Sequence, residues 1–369
     1  MTREKGIVQT SIVGIVANIF LVIGKAIVGI LAHSISIITD AINNLTDAFS
    51  STVTIVGTKI ANKKPDKKHP YGHGRAEIIA SSIIGVIIFT AGFMAIYESI
   101  LSLINQDQSE YTLVSFIIIP SAIVVKIGLG LFFRIKGKKY ESDALKASGL
   151  DALLDALLSV GTLTALFISY FAHVYIEGYV GIAIGLFILK SSFDVLRESI
   201  SKIIGERSEQ GMIDNLMNDI ASFKEVRGVY DLILNNYGYD KNIGSVHVEV
   251  DDKLTAREIQ VLEREIAMVC YEKYHIIMTV GIYASNEENE EDKLMKEKVY
   301  SLIKSHYEII QVHGFFVDHK KKFLSVDIII DFATKNEEEM YNHIKKDIEN
   351  EFKDYTVYVV LDKDYSVSK

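Results

Sequence analysis

Long apolar stretches alternate with short polar connections over roughly the first 205 residues, and charged, amphipathic stretches make up the remainder. About 20 apolar residues are enough for a helix to cross a hydrocarbon core about 30 Å thick. The pattern therefore predicts six transmembrane helices, at Ile7–Ala32, Ser34–Ile60, Ile78–Ile104, Leu113–Phe133, Ala144–Tyr170 and Gly178–Ile200.

The charge of the connections predicts how these helices are oriented. Lysine and arginine precede the first helix and are concentrated at residues 63–75 and 134–139. The alternate connections, around His33 and at residues 105–110 and 173–177, contain neither. Because basic connections stay in the cytoplasm, we expect a multi-pass membrane protein with both termini cytoplasmic. The lysine-, isoleucine- and asparagine-rich composition and short loops favour a bacterial plasma membrane.

The polar remainder shows a different periodicity, which repeats. Helix, strand, strand, helix and strand follow one another at residues 208–285, and the same order returns at 292–365 after an acidic linker. Within the repeat, Ser245-Val246-His247-Val248 corresponds to Ser325-Val326-Asp327-Ile328. We predict a six-helix membrane domain at 1–207 followed by two tandem cytoplasmic α+β domains of the ferredoxin-like α-β-β-α-β type. Each is small, so packing against its sibling or a second protomer is expected.

Composition excludes several classes of protein. The formal net charge of −9 argues against nucleic acid as a partner. The single cysteine, Cys270, can form neither an internal disulfide nor a thiolate cage for a metal. The first apolar segment is too long for a signal-peptide core and no small-residue cleavage site follows it, so we expect a retained membrane helix.

Two pairs of oxygen-bearing side chains interrupt the predicted membrane helices. Asn43 and Asp47 lie in the second helix, and Asp151 and Asp155 lie in the fifth. Residues four apart share a helix face. If the two helices are antiparallel, a rise of about 1.5 Å per residue places Asp47 level with Asp151 near mid-membrane. Since charges there are costly, the carboxylates either pair with lysine or arginine in a polar crevice or bind a cation.

The four donors indicate which cation would bind. An amide oxygen and three carboxylates suit Mn²⁺ and similar hard ions, whereas Zn²⁺ favours histidine or cysteine. Without metal, three close carboxylates cannot all stay ionised, so we expect them to bind protons that an arriving divalent cation displaces. We expect Lys126, in the middle of the fourth helix, to neutralise a carboxylate such as Glu98.

A second candidate metal site lies in the connection after the second helix. Asp66, His69 and His73 together offer a carboxylate and two imidazoles, which is a plausible but incomplete metal shell. Pro70 opposes a regular helix between the two histidines. The alternative interpretation is a solvated basic loop with a glycine turn.

These motifs together resemble the cation diffusion facilitator family. The resemblance is carried by six spans with N-x-x-x-D and D-x-x-x-D in the second and fifth, the loop Pro65–Glu77 and the strand Ser245–Val250. It covers about residues 5–284, and the second α+β copy lies outside the usual family pattern. The resemblance implies a homodimer, joined through its cytoplasmic domains, that exports divalent metal ions in exchange for protons. The metal is then cargo, and no resident cofactor is expected.

The resemblance also assigns residues and a metal. It places the transport site on Asn43, Asp47, Asp151 and Asp155. Zinc-transporting relatives carry one or two histidines at these positions, and this chain carries none. Members with these two pairs look like manganese exporters, so we expect Mn²⁺ first and Fe²⁺ next, with Zn²⁺ and Co²⁺ as alternatives.

The cytoplasmic metal site of zinc-type relatives is largely absent here. His247 is retained, as a weak candidate ligand, although a strand histidine with a satisfied hydrogen bond is the simpler interpretation. The positions at which members often carry histidine or aspartate hold Tyr230, Gln260, Gly281 and Tyr283. We therefore expect no zinc cluster, while His313 and Asp327 of the second copy leave a weaker regulatory Mn²⁺ site open.

Two other classes of protein would also use paired membrane carboxylates. An intramembrane aspartyl protease would place its two acids on different helices as a catalytic dyad, and here they come in pairs on each helix. A membrane metal sensor without transport would explain the tandem soluble domains, but it would leave the four-residue membrane site without a purpose. Neither class fits as well as transport, so we do not expect an enzyme.

Overall fold

The computed structural model describes residues 2–31, 35–105, 115–172, 177–239, 241–287, 289–363 and 365. The chain divides into two compact units. The first comprises Met1–Glu206 with Tyr237–Tyr239, and the second comprises Arg207–Asn236 with Asp240–Lys369.

The described residues of the first unit form six long helices, and each coincides with one predicted apolar stretch. They are α1 (Arg3–Leu31), α2 (Ile35–Ala61), α3 (Ala76–Asn105), α4 (Ser115–Lys139), α5 (Asp143–Ala172) and α6 (Glu177–Ile204). Among the described residues, three stretches are long and apolar enough to cross a membrane, namely Arg3–Ile27, Ala76–Ile104 and Gly178–Ile204. The connections predicted to contain no lysine or arginine, around 33, 106–110 and 173–176, lie outside the described residues.

Small residues allow α4 and α5 to approach closely. A Cβ atom added at Gly130 of α4 would lie 2.7 Å from Cγ of Leu153, and one added at Gly149 of α5 would lie 3.0 Å from Cγ of Arg134. Larger residues at either position would push the two helices apart. The close approach brings the charged side chains in the middle of the two helices within reach of one another.

The second unit contains two copies of one arrangement. Its elements are α7 (Gln210–Ala221), β1 (Gly228–Asn236), β2 (Asn242–Val250), α8 (Ala256–Tyr274), β3 (Ile276–Ala284), α9 (Glu290–Lys304), β4 (Ile309–Asp318), β5 (Phe323–Ile330), α10 (Glu337–Glu351) and β6 (Thr356–Asp362). We call residues 210–284 the first repeat and residues 290–362 the second repeat. Each has a three-stranded sheet whose middle strand is antiparallel to the first strand and parallel to the third.

Each repeat encloses its own apolar core. Val246 and Val248 of β2 pack with Ile266 of α8 in the first repeat, and Val326 and Ile328 of β5 pack with helix residues of the second. Alternation along these strands sends the intervening side chains to the other face of each sheet. That other face carries His247 in one repeat and Asp327 in the other.

Candidate metal centre

Three carboxylates converge between α2 and α5. Asp47 comes from α2, and Asp151 and Asp155 come from successive turns of α5. Each offers an oxygen that lies within 4.8 Å of one from both others. Asp151 is 6% exposed, and the side chains of Asp47 and Asp155 are 13% and 28% exposed. The i, i+4 spacing and the pairing of the two helices therefore bring these predicted site residues together.

Lys126 of α4 completes this group. Its ammonium lies 2.8 Å from Oδ2 of Asp155 and also donates a hydrogen bond to Asp47. The residue is 4% exposed. The prediction that Lys126 neutralises a carboxylate is confirmed, but Glu98, given as the example, is wrong, because Glu98 is an exposed residue of α3 and the lysine contacts the acidic site itself.

Counting along the helical hairpin would have predicted the position of this lysine. Lys126 lies thirteen residues before Lys139 at the end of α4, and Asp155 lies twelve residues after Asp143 at the start of α5. In an antiparallel pair these positions are at the same depth. Equal depth on antiparallel helices therefore points to a pairing of Lys126 with Asp155, just as it points to Asp47 lying level with Asp151.

Asn43 is the fourth residue predicted for this site. It belongs to α2, one helical turn before Asp47. Its side chain lies outside the described part of the structure. Nearer the other end of α2, the buried hydroxyls of Thr54 and Ser148 lie 3.3 Å apart and join α2 to α5. This contact supports the alignment of the two helices that carry the carboxylates.

The loop between α2 and α3 gathers Asp66, His69 and His73. Asp66 accepts backbone N–H hydrogen bonds from His69 at 2.7 Å and from Lys68 at 2.9 Å, and these lower the pKa of its carboxyl. His69 Nδ1 and His73 Nε2 each lie 3.4 Å from this carboxylate. Backbone N–H groups of the loop thus hold the Asp66 carboxylate in place. Asp66, His69 and His73 each offer one possible metal-ligand atom, and these atoms lie within 4.8 Å of one another.

His247 has a hydrogen-bonding partner of its own. Its Nδ1 lies 2.8 Å from Oδ2 of Asp231, and this contact raises the pKa of the imidazole. Its ring lies over Gly281, where an added Cβ would come within 2.4 Å of Nε2. Among the described residues His247 belongs to no converging group of three or more metal ligands. The geometry fits a satisfied strand histidine.

A bundle of apolar helices with carboxylates converging inside it is typical of a membrane protein that moves cations. The sequence profile of the cation efflux transmembrane domain matches residues 11–204, more than half of the chain. The chain therefore belongs to the cation diffusion facilitator family, as the motifs indicated. It is a membrane protein and a divalent cation efflux transporter of that family, whose members are transporters rather than enzymes.

Relatives within the family differ in the metals that their names state. An uncharacterized transporter of Methanocaldococcus jannaschii is 31% identical over 252 residues, which cover 68% of this chain and 89% of the relative. The manganese efflux system protein MneS of Bacillus subtilis is 32% identical over 189 residues, 51% of this chain and 65% of the relative. A cadmium, cobalt and zinc/H⁺-K⁺ antiporter of Bacillus subtilis is 25% identical over 268 residues, 72% and 86% of the two chains.

Proposed function

We propose that this protein exports Mn²⁺ from the cytoplasm in exchange for protons. The observation that carries the proposal is the convergence of Asp47, Asp151 and Asp155 inside the helical unit. Carboxylate oxygens, with the amide of Asn43 and water, form the shell that Mn²⁺ accepts and that Zn²⁺ does not favour. The relative named for manganese efflux supports this cargo. Fe²⁺ is the next candidate, and Zn²⁺ or Co²⁺ is the alternative that the antiporter relative supports.

The charges of the site suggest how metal and proton exchange. Three ionised carboxylates and the ammonium of Lys126 leave the group with two net negative charges. One divalent cation balances them, and so do two protons. Exchange of one metal ion for two protons would therefore keep the buried site neutral in both loaded states, which avoids the cost of an uncompensated charge in the membrane.

The surrounding organisation is part of the same proposal. We propose six spans with both termini in the cytoplasm, a homodimer joined through the α+β repeats and a plasma-membrane location. The positive-inside pattern supports the orientation, and the resemblance to the family supports the dimer. The proposal also divides the chain into a membrane domain at 1–207 and two cytoplasmic α+β domains at 208–285 and 292–365. Asp66, His69 and His73 form a candidate second metal site in the loop, because their ligand atoms converge at an ordered turn.

The test is metal flux in proteoliposomes that contain the purified full-length protein. We expect Mn²⁺ uptake driven by an imposed pH gradient, counter-flow of protons, and loss of both in Asp47→Ala and Asp155→Ala. Asp194→Ala is the matched control, because Asp194 is an exposed carboxylate of another membrane helix, α6. Asn43→His should shift the preference toward Zn²⁺.

The outcomes separate the rival functions. Flux of another metal with the same dependence on Asp47 and Asp155 would keep the site and replace the cargo. Flux that ignores the pH gradient would reject proton exchange. Binding of Mn²⁺ without any flux would reject export and favour a membrane metal sensor.

A further inference from the structure

A second group of metal-ligating side chains lies between the two α+β repeats. Asp231 comes from β1 of the first repeat, and His313, Asp327 and Asp362 come from β4, β5 and β6 of the second. Each offers one ligand atom, and these four atoms all lie within 4.8 Å of one another. His313 is fully buried, Asp327 is 9% exposed, and the side chain of Asp231 is 8% exposed. We call these four residues the inter-repeat cluster.

The buried histidine has no hydrogen-bond partner for either ring nitrogen. Its Nε2 lies 2.7 Å from Oδ1 of Asp231 and 3.9 Å from Oδ2 of Asp362. The shorter contact is at ion-pair distance but outside hydrogen-bond geometry, and Oδ1 of Asp231 is likewise buried with no hydrogen-bond partner. Buried polar atoms in folded proteins nearly always have a partner. One cation bound to both atoms would satisfy the nitrogen and the oxygen together.

The carboxylates of the cluster also lack a full set of donors. His247 Nδ1 and the hydroxyl of Tyr283 both lie 2.8 Å from Oδ2 of Asp231, and the same hydroxyl lies 2.9 Å from Oδ2 of Asp327. These donors serve the two Oδ2 atoms and leave Oδ1 of Asp231 with none. Within the described part of the chain, no lysine or arginine forms an ion pair with the cluster. The three carboxylates each place an oxygen within 4.8 Å of the others, so they repel one another when ionised. A cation would remove this repulsion.

The backbone is shaped around the cluster at equivalent places in both repeats. Tyr230 pairs with His247 across β1 and β2, and His313 pairs with Asp327 across β4 and β5. The next residue in each repeat, Asp231 or Gly314, has a positive φ, of 52° and 62°.

Each of these two residues has its own reason for that conformation. A non-glycine residue rarely adopts it, and here it turns the Asp231 carboxylate toward His313. A Cβ at Gly314 would lie 2.5 Å from Oδ2 of Asp327, so glycine leaves room for that carboxylate.

We propose that Asp231, His313, Asp327 and Asp362 bind a divalent first-row transition metal ion of the Mn²⁺ or Fe²⁺ kind. Three carboxylates and one imidazole form an oxygen-rich set with a single nitrogen, which suits these ions better than a zinc site rich in histidine or cysteine. The ligands come from both repeats, so the bound ion joins the two sheets. This site is separate from the carboxylates of the helical unit and uses none of the four positions at which the chain departs from its zinc-type relatives.

The test measures Mn²⁺ binding to the full-length protein in detergent. The starting chain carries Asp47→Asn, Asp155→Asn and Asp66→Asn, so that neither the membrane carboxylates nor the loop binds metal. We expect one Mn²⁺ per chain by paramagnetic resonance, with the electron-spin-echo modulation of one coordinated nitrogen.

Adding His313→Gln should remove the nitrogen modulation and weaken binding by at least about 100-fold, the upper end of the effect of losing an outer-shell partner. Asp362→Asn, at a partly exposed side chain, should weaken binding and keep the nitrogen signal.

A matched control is His319→Gln, which changes another histidine of the second repeat whose Nε2 lies 2.5 Å from Asp292. It should leave Mn²⁺ binding unchanged. The proposal is overturned if the starting chain binds no Mn²⁺, or if the nitrogen modulation survives His313→Gln. If His313→Gln disturbs folding by circular dichroism, Asp362→Asn decides, and unchanged affinity there also overturns the proposal. None of these measurements depends on transport.

Discussion

Replacing Lys126 with methionine removes the one ammonium that contacts the carboxylates between α2 and α5 in the described structure. The lysine lies 2.8 Å from Asp155 and also donates to Asp47. At an effective dielectric constant of about 20, attraction across 2.8 Å is roughly 6 kcal/mol before desolvation is subtracted. Removing one partner of a buried ion pair typically costs about 3–5 kcal/mol, because the other charge is left uncompensated. We expect Lys126→Met to destabilise the metal-free protein by that amount.

Metal should reverse much of this loss. A divalent ion between the carboxylates supplies the charge that the lysine supplied, and it no longer competes with an ammonium for the same oxygens. We therefore expect Mn²⁺ to bind the variant at least about tenfold more tightly than wild type, and to raise its unfolding temperature more. With about 2–4 °C per kcal/mol for a unit of this size, the metal-free variant should unfold roughly 10 °C lower.

The assay is thermal unfolding in detergent with and without Mn²⁺, together with equilibrium binding of the ion. Lys190→Met is the control, because Lys190 is an exposed lysine of α6, and it should change neither quantity. If Lys126→Met is as stable as wild type without metal and binds Mn²⁺ no more tightly, then the lysine does not balance the site. The two-proton charge argument would then fail with it.

Three further predictions concern the second unit. Gly314→Ala should lower the free energy of unfolding by about 1–3 kcal/mol in a denaturant titration, because φ is +62° there, whereas Gly211→Ala, in open space on α7, should cost nothing. The hydrogen bond to the Asp292 carboxylate raises the pKa of His319, so the pair should stabilise the fold below about pH 6.5, and this stabilisation should be lost as pH rises through the raised pKa of the folded protein. The unfolding temperature of wild type should therefore fall more than that of His319→Gln between about pH 6 and 9, and an equal fall would contradict the prediction. Burial raises the pKa of Cys270 to about 11, so alkylation at pH 7.5 should be slow until the protein unfolds, and rapid labelling of the folded protein would refute that burial.

The elements of the fold were largely predictable because their periodicities are strong. Six apolar stretches each gave a helix, and the two α-β-β-α-β patterns gave two small sheets. The strand Ile309–Asp318 is rich in β-branched and aromatic residues, and Gly228–Asn236 carries Val229, Tyr230 and Ile233 among its apolar residues. The crossing of the membrane by all six helices remains a prediction, since three of them meet the criterion of length and apolarity among the described residues.

The site was predictable where helix geometry alone fixes it. The i, i+4 pairs brought Asp151 and Asp155 to one face, and equal depth brought Asp47 to them. The partner of Lys126 was missed because a charge in a helix can point to any neighbouring helix, and packing decides which. The inter-repeat cluster was only partly visible. His313 and Asp327 could be aligned with the first repeat. Asp231 reaches them because its φ is positive, and no sequence pattern predicts a positive φ at this aspartate.

Duplication of the α+β unit within one chain has a genetic consequence. In a symmetric dimer every substitution appears twice, so the two faces that meet must remain identical. Here equivalent positions of the two repeats already differ. Asp231 of the first repeat corresponds to Gly314 of the second, and His247 corresponds to Asp327. One half can therefore change its chemistry while the other stays fixed. Selection can refine an asymmetric pocket by single steps that a symmetric pair of chains could never take.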